Sequence, residues 1–417
     1  MVRENALRFL GADPEHFDLI FTSNATAAIK LVCESFEDLA AESSSSGHFW
    51  YGYHKDAHTS LVGIREHSQH HCFVSDEEVD DWLSGLRSPK GRPNHDQTPG
   101  LFAFPGQSNM TGRRLPLSWT RKLRESSLKS HNSTYSLLDA AALVSTAQLD
   151  LSDPDSAPDF TALSFYKIFG FPDLGALVVR KDSAHILLWR KYFGGGTVSS
   201  LTVFHEATHH RKDATIHDGL EDGTLPFHSI VALGIAIDVH KDLYGSMANI
   251  SKHTMFLCNR LYLGLSSLSH SNGIRLCEIY YDPSSTQPYT DPSTQGATIA
   301  FNVLRADGSY VPYSTVERQA DKKSIYVRAG GLCNPGGIAS YLKVEPWQFK
   351  RAWSAGHRCS GGTNHEIISE KPTGVVSYQS LGVLFPFEQS REVDVLGDSR
   401  QKLHLKSSSS SFHSFFI

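Results

Sequence analysis

In the stretch "SFYKIFGF", Ser164 to Phe171, one lysine stands among four aromatic rings and an isoleucine. The stem of Lys167 could lie along apolar surface with its charge in water. The alternative carries chemistry: a partly desolvated lysine loses affinity for its proton and becomes an amine nucleophile, able to form a Schiff base with an aldehyde. Four further features suit an aldehyde cofactor. Asp139 in "LLDAAA", at an expected strand end, could pair with a protonated pyridinium nitrogen, and could equally cap a helix. The helix opening in "TSNATAAIK" offers the backbone N–H groups of Ala25 and Thr26, the Thr26 hydroxyl and a positive dipole end. These suit a phosphate, and they also describe an ordinary capped helix. His58 in "DAHTS" could stack over a pyridine ring or be a satisfied polar group. Asn109 in "GQSNMTG" is a loop amide able to bond a phenolic oxygen. Together these residues match the parts of pyridoxal phosphate.

A competing motif is "HEATH", His205 to His209, which fits the HExxH zinc pattern. Three fixed residues arise easily in a chain with 22 histidines, and positions 212 and 215 are Lys and Thr rather than the Gly and His of the longer form. The upstream "GGGTVSSLTVF" reads as glycine loop and strand, not helix, so zinc is not assigned. "HSQHH" (67–71) reads as a solvated helix end.

The elements that must position these residues follow from the hydrophobic pattern. "FDLIFTS", "FWYGYH", "GLFAFP", "YSLLD", "FTALSFYKIF" and "LGALVVR" read as strands. Helical patterns such as "NATAAIKLVCESFEDLA" and "LSWTRKLRESSLK" alternate with them. That alternation predicts an α/β fold with a mainly parallel sheet between helices, its ligands at the carboxyl ends of the strands. After "PFHSIVALGIAIDVHKDLYG" two long helices lead to the strands "IRLCEIYY" and "ATIAFNVLR", a smaller α+β domain. The expected division is a large domain over 1–245, a small one over 246–395 and a low-complexity, disordered tail over 396–417. The opening "MVRENALRFLGADPEHF" reads as a helix already in progress, without an apolar signal core.

Hydrophobic residues make up 40% of the chain and its net charge is −5, which suits a small-molecule partner rather than nucleic acid or an anionic membrane. The six cysteines form no CxxC pair, so a reducing, cytoplasmic location is expected. Cys33, Cys72, Cys258, Cys277 and Cys359 read as buried or half-buried thiols; Cys333 lies in the glycine-rich "AGGLCNPGG".

The runs "SNATAAIKLV", "FPGQSNMTG", "LLDAAALVST", "SFYKIFGFPDLGALVVRKD", "YFGGGTV", "LEDGTLPF" and "VRAGGLCNPGG" appear in an order that resembles one family. This is the fold-type-I, pyridoxal-phosphate-dependent class V aminotransferase and cysteine desulfurase superfamily, and within it the molybdenum cofactor sulfurase branch. The resemblance implies a seven-stranded-type sheet in the large domain, Lys167 as the Schiff-base lysine, Asp139 as pyridinium partner and His58 on the ring. It places Ala25, Thr26 and Ser164 at the phosphate, and Thr224 at the phosphate of a neighbouring subunit, so a homodimer is implied. Arg328 matches an active-site arginine. Cys333 would accept sulfur from L-cysteine as a persulfide, for delivery to molybdenum cofactor or a separate acceptor protein. Three family features are missing: an opening segment with Asp-His-Ala-Gly and Asn-Pro-His stretches, a carboxylate-holding arginine after "PTGVV", where Ser377, Tyr378 and Gln379 stand, and a carboxyl-terminal β-barrel domain. The alternatives are another class V aminotransferase or lyase, or a truncated inactive paralogue.

Overall fold

The computed structural model describes residues 1–92, 98–356 and 366–379. The expected tail, the stretch 380–395 and Cys359 lie outside the described residues. By their contacts these residues form two units: Met1–Gln107 with Leu115–Asn249, and Ser108–Arg114 with the described residues from Ile250 on.

The first unit is built on seven strands: β1 (Phe17–Thr22), β2 (Trp50–His54), β3 (Gln69–Phe73), β4 (Gly100–Pro105), β5 (Thr134–Asp139), β6 (Phe160–Ser164) and β7 (Gly175–Arg180). Their order is β1-β7-β6-β5-β4-β2-β3, and β7 alone runs against the others. Helices α1 (Val2–Phe9), α2 (Ala25–Ser43), α3 (Thr59–Val62), α4 (Asp76–Leu83), α5 (Ser118–Arg124), α6 (Tyr166–Phe169) and α7 (Phe227–Tyr244) surround it. Successive strand residues point to opposite faces, and both faces are apolar. Leu101 and Ala103 of β4 pack with Ile29, Val32 and Phe36 of α2. Phe102 and Phe104 pack with Leu7, Trp82, Trp119 and Leu233 from α1, α4, α5 and α7. The mainly parallel sheet between helices is therefore present as the sequence predicts.

Two local expectations are corrected. "SFYKIF" does not continue β6 but turns into α6, which ends at Gly170 with φ 77°. Only a helical turn brings Phe165 and Phe169 side by side, stacked with centroids 6.4 Å apart in the core. "HSQHH" is a helix end only at its start: a 3-10 helix closes at His67, and Gln69–Phe73 is an edge strand paired with β2, where pairing along the sheet overrides the polar composition. A hairpin of β8 (Val198–Leu201) and β9 (His209–Arg211) follows the glycine loop.

The second unit carries α8 (Met247–Ser267), β10 (Cys277–Tyr280), β11 (Thr298–Val303), α9 (Tyr313–Asp321), β12 (Arg328–Gly330), α10 (Pro335–Tyr341), α11 (Pro346–Ser354), β13 (Ile367–Ile368), β14 (Lys371–Pro372) and β15 (Val375–Gln379). Its sheet is antiparallel, in the order β10-β11-β15-β12. Ser108–Arg114 joins this unit through backbone: Gly296 N–H donates to Gly112 O at 2.7 Å, and Arg114 N–H to Thr294 O at 2.8 Å. Among the described residues no helix is long and apolar enough to cross a membrane.

Candidate active site

The carboxyl ends of β1, β4, β5 and β6 lie at one edge of the large sheet, where several of the candidate residues stand. Asp139 ends β5, buried, in register with Pro105 and Ala162. Its Oδ1 accepts the Ala141 N–H at 3.0 Å. The capping reading and the cofactor reading thus coexist: one oxygen is spent on the turn, and that bond fixes the carboxylate's orientation.

Lys167 lies on α6, one residue beyond Tyr166, and is half-buried. The rings around it divide into two kinds. Phe165 is fully buried, and Phe169 meets Phe9 of α1 at 5.2 Å and His240 of α7 at 5.3 Å. Tyr166 and Phe171 are exposed. The buried rings fasten the helix, and Lys167 makes no hydrogen bond or ion pair among the described residues.

The turn from β1 into α2 is built from side chain to backbone bonds. Asn24 caps α2, its Oδ1 accepting Ala27 N–H at 3.0 Å. Ala25 N–H donates to Ser164 Oγ at 2.9 Å, which ties the helix to the end of β6. Gly175 is the floor: a Cβ there would lie 2.4 Å from Asn24 Cα. Thr26 is exposed at the start of this 19-residue helix, its N–H without a partner among the described residues. Thr26 Oγ1 lies 2.8 Å from Ser60 Oγ, and that hydroxyl lies 3.0 Å from His58 Nδ1. Ser60 N–H also donates to His58 Nδ1 at 3.1 Å, so a neutral His58 carries its proton on Nε2. The structure therefore brings Ala25 and Ser164 together, and Thr26 with His58 through Ser60.

This arrangement fits a phosphorylated pyridine. Free N–H and hydroxyl donors at a helix amino terminus suit a dianion. An oriented, buried carboxylate at the same sheet edge suits a cationic ring nitrogen, and an amine without a partner suits an aldehyde.

Thr224 is exposed on a loop that the rest of the unit holds tightly. Glu221 Oε1 accepts Phe21 N–H at 2.7 Å and pairs with Arg3 at 2.6 Å. Asp222 pairs with Arg190 at 2.8 Å and accepts Gly194 N–H at 2.9 Å. "LEDGT" and "YFGGGTV" are thus two sides of one zipper, closed by Gly223 N–H to Gly195 O at 2.7 Å.

In the second unit, Cys333 is exposed on a tight turn. Asn334 N–H donates to Gly331 O at 3.0 Å, and the two residues between, Leu332 and Cys333, have φ of 52° and 56°. Each non-glycine residue in that region costs about 1–2 kcal/mol. Asn109 Nδ2 donates to Leu332 O at 2.7 Å. Arg328, exposed, begins β12 directly opposite Ser377 of β15. Opposed residues of antiparallel strands share a face. An arginine is therefore present beside the strand that lacks one.

The other described cysteines are chemically quiet. Burial pushes Cys33, Cys258 and Cys277 up to about 12 and Cys72 up to about 11. "HEATH" spans the β8–β9 connection, with His205 at φ 65°, so its histidines do not share a helix face. The sequence reading missed Ser60, Gly175 and Asn334. Signals existed for two of them: Ser60 follows His58 at the spacing of a local side chain to backbone turn, and Asn334 precedes a proline as helix caps do.

The fungal proteins named molybdenum cofactor sulfurase are close in sequence. That of Aspergillus fumigatus (strain CBS 144.89 / FGSC A1163 / CEA10) is 52% identical over 389 residues, which is 93% of this chain and 44% of the relative. That of Botryotinia fuckeliana (strain B05.10) is 53% identical over 382 residues, 92% of this chain and 45% of the relative. The chain thus spans a little under half the length of these relatives. Among solved structures, the apo cysteine desulfurase of Thermococcus onnurineus NA1 matches with a TM-score of 0.62 at 15% identity, over 91% of this chain and 77% of that one. The cysteine desulfurase CsdA of Escherichia coli matches with a TM-score of 0.63 at 16% identity, over 91% and 78%. The pattern of the family described as Aminotransferase class-V matches residues 1–360. With a mainly parallel sheet, a partnerless lysine beyond β6 and a donor-lined turn at the same edge, this chain belongs to the class-V aminotransferases.

Proposed function

We propose that this chain is a pyridoxal-phosphate-dependent L-cysteine desulfurase of the molybdenum cofactor sulfurase type. The observation that carries the reading is the linked set Ala25–Ser164 and Thr26–Ser60–His58 at the sheet edge that also holds Asp139 and leads into Lys167. The names of the fungal relatives support the sulfurase branch. With pyridoxal phosphate bound, Lys167 would be the amine that holds its aldehyde and would move the proton of the substrate α-carbon. Asp139 would hold the ring nitrogen, His58 the ring, and Ala25, Thr26 and Ser164 the phosphate. Thr224 reaches the phosphate of a second subunit in a homodimer, and Arg328 meets the substrate carboxylate. Asn109 is the expected partner of the phenolic oxygen, and its Nδ2 also donates to Leu332 O in the Cys333 turn.

Bound there, pyridoxal phosphate supplies an electron sink for the substrate's carbon skeleton. The Cys333 thiolate attacks the sulfur of L-cysteine, forming an S–S bond as the C–S bond breaks. The electron pair of that bond stays on the β-carbon, which takes up a proton and becomes the methyl group of alanine. Carbon gains the two electrons that the sulfurs give up, so no outside oxidant enters. The persulfide then passes to molybdenum cofactor or to an acceptor protein, and the cytosol is the proposed compartment for so exposed a thiol.

The test is the purified chain loaded with pyridoxal phosphate and given L-cysteine. A Schiff-base absorption band, alanine release and a persulfide on Cys333 by peptide mass spectrometry are expected. No band would remove the cofactor reading. Product formed without sulfur on Cys333 would make the chain another aminotransferase or lyase.

A further inference from the structure

The turn that bears Cys333 is held by two amides. Asn334 is fully buried. Its Oδ1 accepts Gly337 N–H at 2.8 Å and so caps α10. That cap fixes which way the amide points, so that Nδ2 donates to Asn109 Oδ1 at 3.0 Å and more weakly to Ser108 Oγ at 3.5 Å. Asn109, with its oxygen so engaged, must present Nδ2 on its other side, where it donates to Leu332 O at 2.7 Å. One direction of hydrogen bonding runs from the α10 cap through both side chains to the peptide preceding Cys333. Neither amide can flip alone without opposing donor to donor or acceptor to acceptor. The neighbourhood is closely packed: a Cβ on Gly337 would stand 2.7 Å from Asn334 Oδ1 and 3.0 Å from Met110 Sδ.

The turn needs such a device. Leu332 and Cys333 both hold positive φ, and strained backbone of this kind persists only where its surroundings over-determine it. Released, the two residues would relax toward negative φ and the direction of Cys333 Sγ would be lost.

We infer that Asn109 and Asn334 are positioning residues for the Cys333 thiol, wound and aimed through this amide relay. The inference rests on the proposal that Cys333 is the sulfur acceptor.

Two variants test it. Asn109→Ala removes the last donor of the relay. Asn334→Asp keeps an acceptor for Gly337 N–H, and with it the cap, but removes the donor to Asn109. In both, amide hydrogen exchange over residues 331–334 should accelerate roughly five- to tenfold, the opening that one net hydrogen bond restrains. In the loaded protein, kcat for persulfide formation on Cys333 should fall by a similar factor with KM for L-cysteine unchanged, and in Asn334→Asp the cofactor band should stay as in the unchanged chain. If Asn334 only caps a helix, Asn334→Asp will match the unchanged chain in both readouts, and the inference is overturned. It is also overturned if exchange rises while sulfur transfer does not fall, or if Asn109→Ala shifts the cofactor band without altering exchange. Should the unchanged chain transfer no sulfur at all, the desulfurase reading fails, while exchange in the unloaded protein still decides whether the relay holds the turn.

Discussion

The proposed cofactor cradle and the turn of the proposed sulfur acceptor, Cys333, are built in opposite ways. The cradle is made by close approach: Gly175 admits the Asn24 backbone against β7, Ser164 takes the Ala25 N–H, and the sheet beneath is packed on both faces. Asn24, Ala25, Ser164 and Gly175 all keep φ outside the positive region. The turn is made against local preference, with two non-glycine residues at positive φ and a pair of amides holding them. A cradle must keep its ligand in one place, and a group that accepts and passes on an atom must be aimed yet releasable. Stored strain suits the second role and would weaken the first.

The sharpest way to break the comparison is to remove one reacting group from each region. Lys167→Ala should abolish the Schiff-base band and lower alanine release by roughly a thousandfold or more. Cys333→Ala should leave the band in place while the persulfide disappears. A Lys167→Ala protein that keeps the band would put the cofactor elsewhere.

Acid should act on the cradle's unit first. Burial, then the Arg92 charge, holds His131 down at about 4. The folded value lies below the unfolded one of about 6.5, so the contribution is full above pH 6.5 and is lost as pH falls toward 4. That removes on the order of 2–3 kcal/mol, visible as a falling Tm between pH 7 and 4.5. His131→Gln, which cannot charge, should flatten that part of the curve.

Gly175→Ala should destabilise by about 1–3 kcal/mol, since the new Cβ meets backbone that cannot move aside. It should weaken cofactor binding as well, measured by equilibrium dialysis. Unchanged binding would separate the β1–α2 turn from the phosphate.

The smallest effect carries the opposite sign. Cys333→Gly should stabilise the protein by up to about 1 kcal/mol relative to Cys333→Ala, because glycine takes positive φ without strain. Equal Tm values for the two would mean that the turn is not strained.

The sequence by itself determined the alternation of strands and helices, hence the parallel sheet and the edge where its chemistry gathers. It also singled out Lys167, unusual among aromatic rings, while Asp139 read equally as a helix cap and Cys333 drew its expected role from the family resemblance. Periodicity and residue type are local properties, and one chain displays them. Only the tertiary structure decided that "SFYKIF" breaks from strand to helix, because Phe165 and Phe169 find the same core. Tertiary structure likewise put Ser60 between Thr26 and His58, and gave Asn109 to a turn more than two hundred residues away. Such partnerships depend on where distant backbone happens to end. A hydrogen bond is a matter of a few tenths of an ångström, and spacing along the chain does not encode that.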